Sequence, residues 1–214
     1  MKNQILLVLF LTVIFSACQK DKHVSKELLN DPLTSQANNW LEDSSGFYAA
    51  KFSGGHYMIS VDTAGIFVYT LAPYGLLNSA YSVQVDASMS LDDPSKVANV
   101  GFVFNYIDAN NYSVVDIYSA GAYDIWSISS GQPKQVVAAT PIKEVSFSPS
   151  AYNTIKIIQN SSQVELKIND VSVTKGDLKL PSSNFKVGIF AGTQTDPYYS
   201  PVKGYFNNFI LTQL

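Results

Sequence analysis

The chain has 214 residues, of which 46% are hydrophobic and 14% charged, and its formal net charge is −3. This length suffices for one domain with a substantial core. All 14 basic residues are lysines, scattered along the chain, so the sequence has neither the basic stripe of a nucleic-acid-binding protein nor the guanidinium fork that favours phosphate and carboxylate. A neutral, hydroxyl-rich partner fits this composition better.

The N-terminal segment has the pattern of an export signal. Lys2 precedes an almost unbroken apolar run over residues 5–15, which is too short to span a bilayer as a stable helix. The run ends in Phe15-Ser16-Ala17-Cys18, which resembles the lipobox of bacterial lipoproteins. We therefore expect residues 1–17 to be a lipoprotein signal peptide. An ordinary cleaved signal peptide with an incidental cysteine is the alternative.

Cys18 is the only cysteine in the sequence, so no intramolecular disulfide can form. We expect it to be lipidated and to anchor the protein in the bacterial cell envelope, at the outer membrane or cell surface, with the lipid as the only membrane contact. The polar stretch that follows predicts a flexible tether over residues 18–30. Residues 31–214 are then a single domain.

The domain has the pattern of an all-β protein. From Trp40 onward, apolar residues recur mostly at every second position and turn residues interrupt them at short intervals, which is typical of an antiparallel sandwich or barrel. No segment has a convincing helical period. The predicted strands cover residues 46–52, 56–61, 65–72, 80–90, 97–107, 111–118, 122–128, 134–139, 153–160, 163–168, 171–174, 185–192 and 203–212.

The strands between residues 97 and 129 predict a three-stranded meander, because residues 108–111 and 119–121 are turn sequences. Placing Ile107 opposite Tyr112 and Tyr118 opposite Ala122 defines two faces. The first is a core face of Phe102, Phe104, Tyr106, Val115, Ile117, Tyr123 and Ile125. The second is a mixed aromatic and acidic face of Val103, Asn105, Tyr112, Val114, Asp116, Tyr118, Asp124, Trp126 and Ile128. A slip of one residue would exchange the faces, but the entirely apolar first face argues against it.

Several segments, in this order, resemble the concanavalin A-like lectin/glucanase superfamily, in particular its laminin G-like and 3-keto-disaccharide-hydrolase-like domains. The resemblance covers roughly residues 31–212. It is carried by Asp31 to Trp40, residues 52–59, 100–105 with 108–112, 121–125, 153–157 with 164–170, 186–191 and 205–209. It implies a two-sheet antiparallel jelly-roll sandwich, a fold that hosts lectins, adhesins and hydrolases alike.

Two positions depart from the pattern of these relatives. They commonly carry arginine where Asn105 stands, and many end in an Asp-Asn pair where this chain has Asn207-Asn208. Some relatives bind a structural calcium through an acidic residue of the opening segment and the closing aspartate. The resemblance therefore makes Asp31 and Asn207 candidate calcium ligands, with one carboxylate fewer than usual. No other cofactor is expected.

The mixed face is the candidate ligand surface. We expect a poly- or oligosaccharide to bind there, because aromatic rings can stack on a sugar and polar groups can bind its hydroxyls. The candidate ligand-binding residues are Asn105, Tyr112, Asp116, Tyr118, Asp124 and Trp126. A capping role for Trp126 over a second apolar layer is the alternative for that residue.

The paired aspartates leave an enzymatic function open. Asp116 and Asp124 are predicted to lie opposite each other, and like charges so placed raise the pKa of one of them. On the concave sheet of a jelly roll, such a pair could act as the acid and base of a glycoside hydrolase. The Glu-x-Asp-x-x-Glu pattern of family 16 glycoside hydrolases is missing from the sequence. We therefore favour a carbohydrate-binding or adhesion module over the hydrolase.

Overall fold

A computed structural model of the chain describes residues 25–77, 79–143, 145 and 151–214. These residues form fifteen β-strands and no helix. No helix long and apolar enough to cross a membrane occurs in these ranges. The strands are β1 (Lys26–Asp31), β2 (Asp43–Ser44), β3 (Tyr48–Ser53), β4 (His56–Val61), β5 (Phe67–Leu76), β6 (Tyr81–Leu91), β7 (Ala98–Asp108), β8 (Asn111–Tyr118), β9 (Ala122–Ser129), β10 (Gln132–Pro141), β11 (Asn153–Gln159), β12 (Gln163–Ile168), β13 (Val171–Asp177), β14 (Phe185–Thr193) and β15 (Val202–Gln213).

The strands form two antiparallel sheets. The first has nine strands in the order β13-β12-β11-β6-β15-β4-β3-β2, with β1 also paired to β15. The second has six strands in the order β10-β9-β8-β7-β14-β5. The meander β7-β8-β9 therefore lies inside the second sheet, and β14 joins it to β5.

The core fills the space between the two sheets. Strands with one buried face alternate buried and exposed side chains, and the buried sets of both sheets form one cluster. The six-stranded sheet contributes Val100, Phe102, Phe104, Val115, Ile117, Ile125 and Ile189, and the nine-stranded sheet contributes Tyr57, Ile59, Val83, Val85, Ile155, Ile157, Leu166 and Phe206. The predicted fold class, an all-β two-sheet sandwich, is confirmed.

The predicted strands match β3 to β15, three of them with identical bounds. Strands β1 and β2 were not predicted. Because β1 pairs with β15 from Lys26 to Asp31, the prediction of a flexible tether over residues 18–30 is wrong for residues 26–30. A register shift between Glu27 and Leu29 interrupts the alternation there, which hid the strand from a period-two search. The predicted signal peptide and Cys18 lie outside the described residues.

The meander has the predicted register between β8 and β9, where Tyr118 lies opposite Ala122 and Asp116 opposite Asp124. Between β7 and β8 the predicted register holds only at the hairpin, where Asp108 lies opposite Asn111. The register shifts between the Phe104 and Asp108 pairs, so the rest of β7 is offset by two residues from the prediction, and this even offset keeps the same residues on each face. Asn105 lies in this irregular stretch with a positive φ of 51°, a conformation that asparagine tolerates better than most residues.

This bulge reverses two predicted side-chain directions. Asn105 was placed on the mixed outer face, but it is buried and accepts a hydrogen bond at 3.0 Å from the hydroxyl of the core residue Tyr81. Tyr106 was placed in the core, but it is only half-buried, and its ring contacts Tyr112. Side chains do not alternate between the two faces here, because the left-handed conformation of Asn105 directs its side chain and the next one to the opposite faces from those of a regular strand.

Asp31 fastens the start of the domain to the sandwich. It is 1% exposed, and its carboxylate accepts hydrogen bonds of 2.8 Å from the backbone N–H of Leu33, Nδ2 of Asn38 and Nε1 of Trp40. The Trp40 ring is fully buried and packs edge-on against Phe209, the residue that pairs with Asp31. Trp40 is therefore a core residue.

Substitution of Asp31 tests whether its hydrogen bonds stabilise the domain. Asp31→Ala leaves three buried or part-buried N–H donors without their acceptor, so we expect the free energy of unfolding to fall by about 3 kcal/mol. Urea denaturation followed by tryptophan fluorescence measures the change. The exposed Asp62→Ala is the matched control and should change stability by less than about 0.5 kcal/mol. Equal effects of the two substitutions would contradict the assignment.

Candidate functional site

The outer face of the six-stranded sheet carries a row of residues from five strands. Cross-strand pairing aligns Tyr69 of β5, Phe190 of β14, Gly101 of β7, Asp116 of β8 and Asp124 of β9. Residues paired in this way share a face of the sheet. The row brings two aromatic rings and two carboxyl groups to one surface.

Gly101 is required at the middle of this row. A Cβ atom at this position would lie 1.9 Å from the carbonyl oxygen of Val115 and 3.1 Å from the ring of Phe190. No side chain fits in that space. The missing side chain allows the neighbouring strand and the Phe190 ring to approach closely.

A cavity of about 180 Å³ opens beside this row. Its walls combine aromatic rings with a carboxyl group, an amide and a hydroxyl. The residues that line it include Phe67, Asn99, Tyr112, Asp116, Phe190 and Thr193, and also Gln194, which directly follows β14.

Aromatic side chains form a continuous cluster on this face. Phe67 stacks on Tyr69 with ring centroids 5.7 Å apart, and it contacts Phe190 edge-on at 5.7 Å. Tyr112 lies 6.2 Å from both Phe67 and Tyr106. Phe67 is 39% exposed and the tyrosines are half-buried, so part of each ring remains available to a ligand.

Asp116 supplies the carboxyl group of the cavity and is held by Asn99. The Asn99 Nδ2 donates a hydrogen bond to Oδ1 of Asp116. Burial and, to a lesser extent, the charge of Asp124 opposite raise the pKa of Asp116, while the bond from Asn99 lowers it; together they bring the pKa from its ordinary value of 3.8 to about 8. At neutral pH the carboxyl group of Asp116 therefore retains its proton.

Asp124 and Tyr118 form a second pair on the same face. The Tyr118 hydroxyl donates a hydrogen bond to Oδ2 of Asp124 at 3.2 Å. Burial and the two nearby aspartates raise the pKa of Tyr118 well above its ordinary range, so it remains a donor. In the described part of the chain, Oδ1 of Asp124 and Oδ1 of Asn99 are buried without a hydrogen-bond partner. Of the two residues, Asn99 lines the cavity.

The structure brings some of the predicted site residues together and separates others. Tyr112 and Asp116 line the cavity, whereas Tyr118 and Asp124 lie behind Asp116 and do not line it. Trp126 is half-buried on the same face, opposite Val114, a lining residue. Asn105 is not on this face at all.

Most residues of the cavity were not predicted, among them Asn99, Phe67, Phe190 and Thr193. Asn99 lies four residues before Val103 on β7, so the two side chains are on the same face of the strand. Extending the predicted mixed face toward the start of β7 would have included Asn99. Phe67, Phe190 and Thr193 come from β5 and β14. Strand β14 pairs with β7, and β5 pairs with β14, across long stretches of sequence. No local pattern indicates such pairings.

The two candidate calcium ligands differ in their surroundings. N–H donors point at both carboxylate oxygens of Asp31, an arrangement that suits an anion in a hydrogen-bonded loop and does not fit a calcium ion centred there. Asn207 retains a buried Oδ1 without a hydrogen-bond partner among the described residues. No group of three or more His, Cys, Asp or Glu side chains able to hold a metal occurs in the described ranges.

The raised pKa of Asp116 predicts a pH-dependent stability. The folded state holds a proton that the unfolded chain releases above about pH 4, so the stabilisation is complete at low pH and is lost as the pH rises toward 8. We expect the free energy of unfolding to fall by about 1 kcal/mol per pH unit in this window. Asp116→Asn should flatten that dependence.

Chemical denaturation at a series of pH values between 4 and 9 measures the slope. Asp170→Asn, in the exposed turn between β12 and β13, is the matched control and should retain the slope of the parent protein. A parent protein whose slope equals that of Asp116→Asn would show that Asp116 ionises normally.

Comparison with known proteins relates the fold to solved structures only. No protein-family model and no curated protein matches the sequence. Among solved structures, the carbohydrate-binding module CBM66 from Bacillus subtilis is 12% identical with a TM-score of 0.59, covering 86% of this chain and 100% of the module.

Two further structures show the same similarity. The carbohydrate recognition domain of Emp47p is 12% identical with a TM-score of 0.63, covering 88% of this chain and 94% of the domain. The β-glucanase of Bacillus licheniformis is 10% identical with a TM-score of 0.59, covering 88% and 98%. These similarities, with the two antiparallel sheets, show that the chain has the concanavalin A-like jelly-roll fold that the sequence predicted.

Proposed function

We propose that this domain binds an oligosaccharide on the outer face of its six-stranded sheet and does not hydrolyse it. The observation that carries the proposal is the cavity in which the rings of Phe67 and Tyr112 face the polar groups of Asn99 and Asp116. A sugar ring has apolar C–H faces and a rim of hydroxyl groups. Ring surfaces combined with a few fixed polar groups are the arrangement that binds such a ligand.

Each group has a distinct role in this proposal. Tyr112 and Phe67 contact the apolar face of one sugar ring. The unpartnered Oδ1 of Asn99 accepts a hydrogen bond from a sugar hydroxyl, and the protonated Asp116 can both donate and accept. Trp126 lies farther along the same face and supplies a stacking surface for the next sugar residue.

The structural neighbours support a carbohydrate-related function. Two of them are by name a carbohydrate-binding module and a carbohydrate recognition domain. A third is a β-glucanase, so the same fold also carries hydrolases. The choice between binding and hydrolysis therefore depends on the residues of this chain.

The sequence adds a proposed location. With Cys18 lipidated, the domain would be held at the bacterial cell envelope, at the outer membrane or cell surface. Envelope surfaces meet polysaccharides, so this location agrees with saccharide binding. A calcium ion at Asn207 stays a separate proposal that saccharide binding does not require.

A glycoside hydrolase is the second candidate, because Asp116, whose pKa is raised, lies directly opposite a second carboxyl group, that of Asp124. Directly opposed side chains have Cβ atoms about 5 Å apart, near the spacing of retaining hydrolases. However, the two carboxyl groups must flank the scissile bond, and only Asp116 lines the cavity. This geometry favours binding.

Tyr112→Ala tests the binding surface. We expect the purified protein to bind at least one oligosaccharide on a glycan array, and Tyr112→Ala to weaken that binding about tenfold or more in calorimetry, because a ring contact is lost. Tyr205→Ala removes a half-buried tyrosine from the outer face of the other sheet and is the matched control. Absence of binding by the parent protein, or equal losses in both variants, would contradict the proposal.

Hydrolysis assays test the second candidate. We expect no turnover of aryl glycosides or of array-positive oligosaccharides by the parent protein, because Asp124 cannot reach a bond bound in the cavity. Product analysis by mass spectrometry measures turnover. Turnover that disappears in both Asp116→Asn and Asp124→Asn would establish the hydrolase instead.

A further inference from the structure

A second, smaller cavity lies at the end of the sandwich, on the other side of Tyr112. Its volume is about 140 Å³. It opens between the β7–β8 bulge, the end of β9 and the segment that follows β13. The residues that define it are Asn105, Ser113, Ser127, Ile128, Lys179 and Pro181.

Three polar side chains of this end cavity can donate hydrogen bonds. Asn105 is 5% exposed, its Oδ1 is occupied by the Tyr81 hydroxyl, and its Nδ2 is buried without a hydrogen-bond partner in the described part of the chain. Ser113 is 2% exposed, and its hydroxyl can donate, as can that of Ser127. A buried amide N–H without an acceptor is costly, so the cavity is suited to an acceptor group.

Lys179 supplies the only charge among the residues that line this cavity, and none of them is acidic. Its backbone is fixed by hydrogen bonds on both sides, from Leu178 N–H to the carbonyl of Ser162 and from Leu180 N–H to the carbonyl of Ser161. Within the described ranges, the exposed Lys179 side chain forms no ion pair. A lysine without a carboxylate partner in these ranges therefore lines a cavity that also contains hydrogen-bond donors.

Other charged groups lie around the end cavity without lining it. Lys179 and Ser127 also line a neighbouring cavity that contains Lys134 and Asp177. Asp177 accepts a hydrogen bond from Gln163, and Asp108 accepts two from Asn111. Lys179 is the charged residue among these that lines the end cavity.

The end cavity adjoins the proposed saccharide site. Tyr112 and Ile128 line both cavities, so one ligand can contact the aromatic cluster and the donor-lined cavity at once. A volume of about 140 Å³ accepts a substituent more readily than a chain of sugar rings. We propose that this cavity binds the carboxylate of an acidic sugar, so that the ligand of the domain is a uronic-acid-containing oligosaccharide; this inference rests on the proposed saccharide-binding function.

The composition of the chain is compatible with this proposal. An arginine-free protein cannot bind a carboxylate through a guanidinium fork. Here an amide N–H, two hydroxyls and one ammonium group would take its place. An acidic sugar departs from the neutral partner that the composition favours, and the departure is confined to one end of the site.

Nuclear magnetic resonance can test the cavity directly. Sodium glucuronate and methyl glucoside are titrated separately into the ¹⁵N-labelled protein at equal ionic strength. We expect glucuronate, and not methyl glucoside, to shift the side-chain amide signals of Asn105 and the backbone amide of Lys179. Equal shifts with methyl glucoside, or no shift of the Asn105 signals with either sugar, would overturn the proposal and indicate that the cavity holds only water.

Lys179→Gln tests the charge. We expect it to weaken glucuronate binding roughly tenfold and to reduce the dependence of that binding on salt, while the binding of neutral sugars is unchanged. Lys203→Gln, an exposed lysine of β15 on the other sheet, is the matched control. Unchanged glucuronate affinity in Lys179→Gln would overturn the proposal.

The two proposals fail in distinguishable ways. If oligosaccharides shift the signals of Tyr112 but acidic ones do not shift Asn105, the saccharide site stands and the acidic subsite is wrong. If no oligosaccharide shifts Tyr112, the proposed function fails, and a shift of Asn105 by glucuronate would then identify an acid-binding site unrelated to the aromatic cluster.

Discussion

The pairing of β7 with β8 on one side and β14 on the other determines the rest of the candidate site. It joins the local meander to β14 and β5, and so places Phe190 and Phe67 beside Asn99 and Asp116. Close approach of these strands requires Gly101, where any Cβ would collide with the carbonyl oxygen of Val115. The shape of the binding face is therefore set by backbone contacts before any ligand is present.

The bulge at Asn105 divides the surface into two regions of different character. On one side of Tyr112 the groups are aromatic rings and a protonated carboxyl group, and on the other they are donors and a lysine. The left-handed backbone conformation of Asn105 makes this possible. It directs the Asn105 side chain inward toward Tyr81 and the Tyr106 side chain outward toward Tyr112. A regular strand would have buried Tyr106 and exposed Asn105.

Burial governs the electrostatics of the site more than net charge does. Asp116 and Asp124 are both nearly inaccessible and directly opposed, so the free energy is lowest when one of them keeps its proton. Asn99 and Tyr118 each donate a hydrogen bond to one member of the pair. The face that looked acidic from its residue types thus presents both donors and acceptors, which suits the hydroxyl groups of a sugar.

The amino-acid sequence by itself determined most of the strands, the second hairpin of the meander and the opposition of Asp116 and Asp124, because alternation and turn chemistry act between neighbouring residues. Only the tertiary structure decided that β1 belongs to the sheet, that Asn105 points inward, and that Phe67, Phe190 and Thr193 join Asp116. These features depend on bulges and on pairing between distant strands. Such contacts are selected by packing of the whole core, which no local pattern of residues encodes.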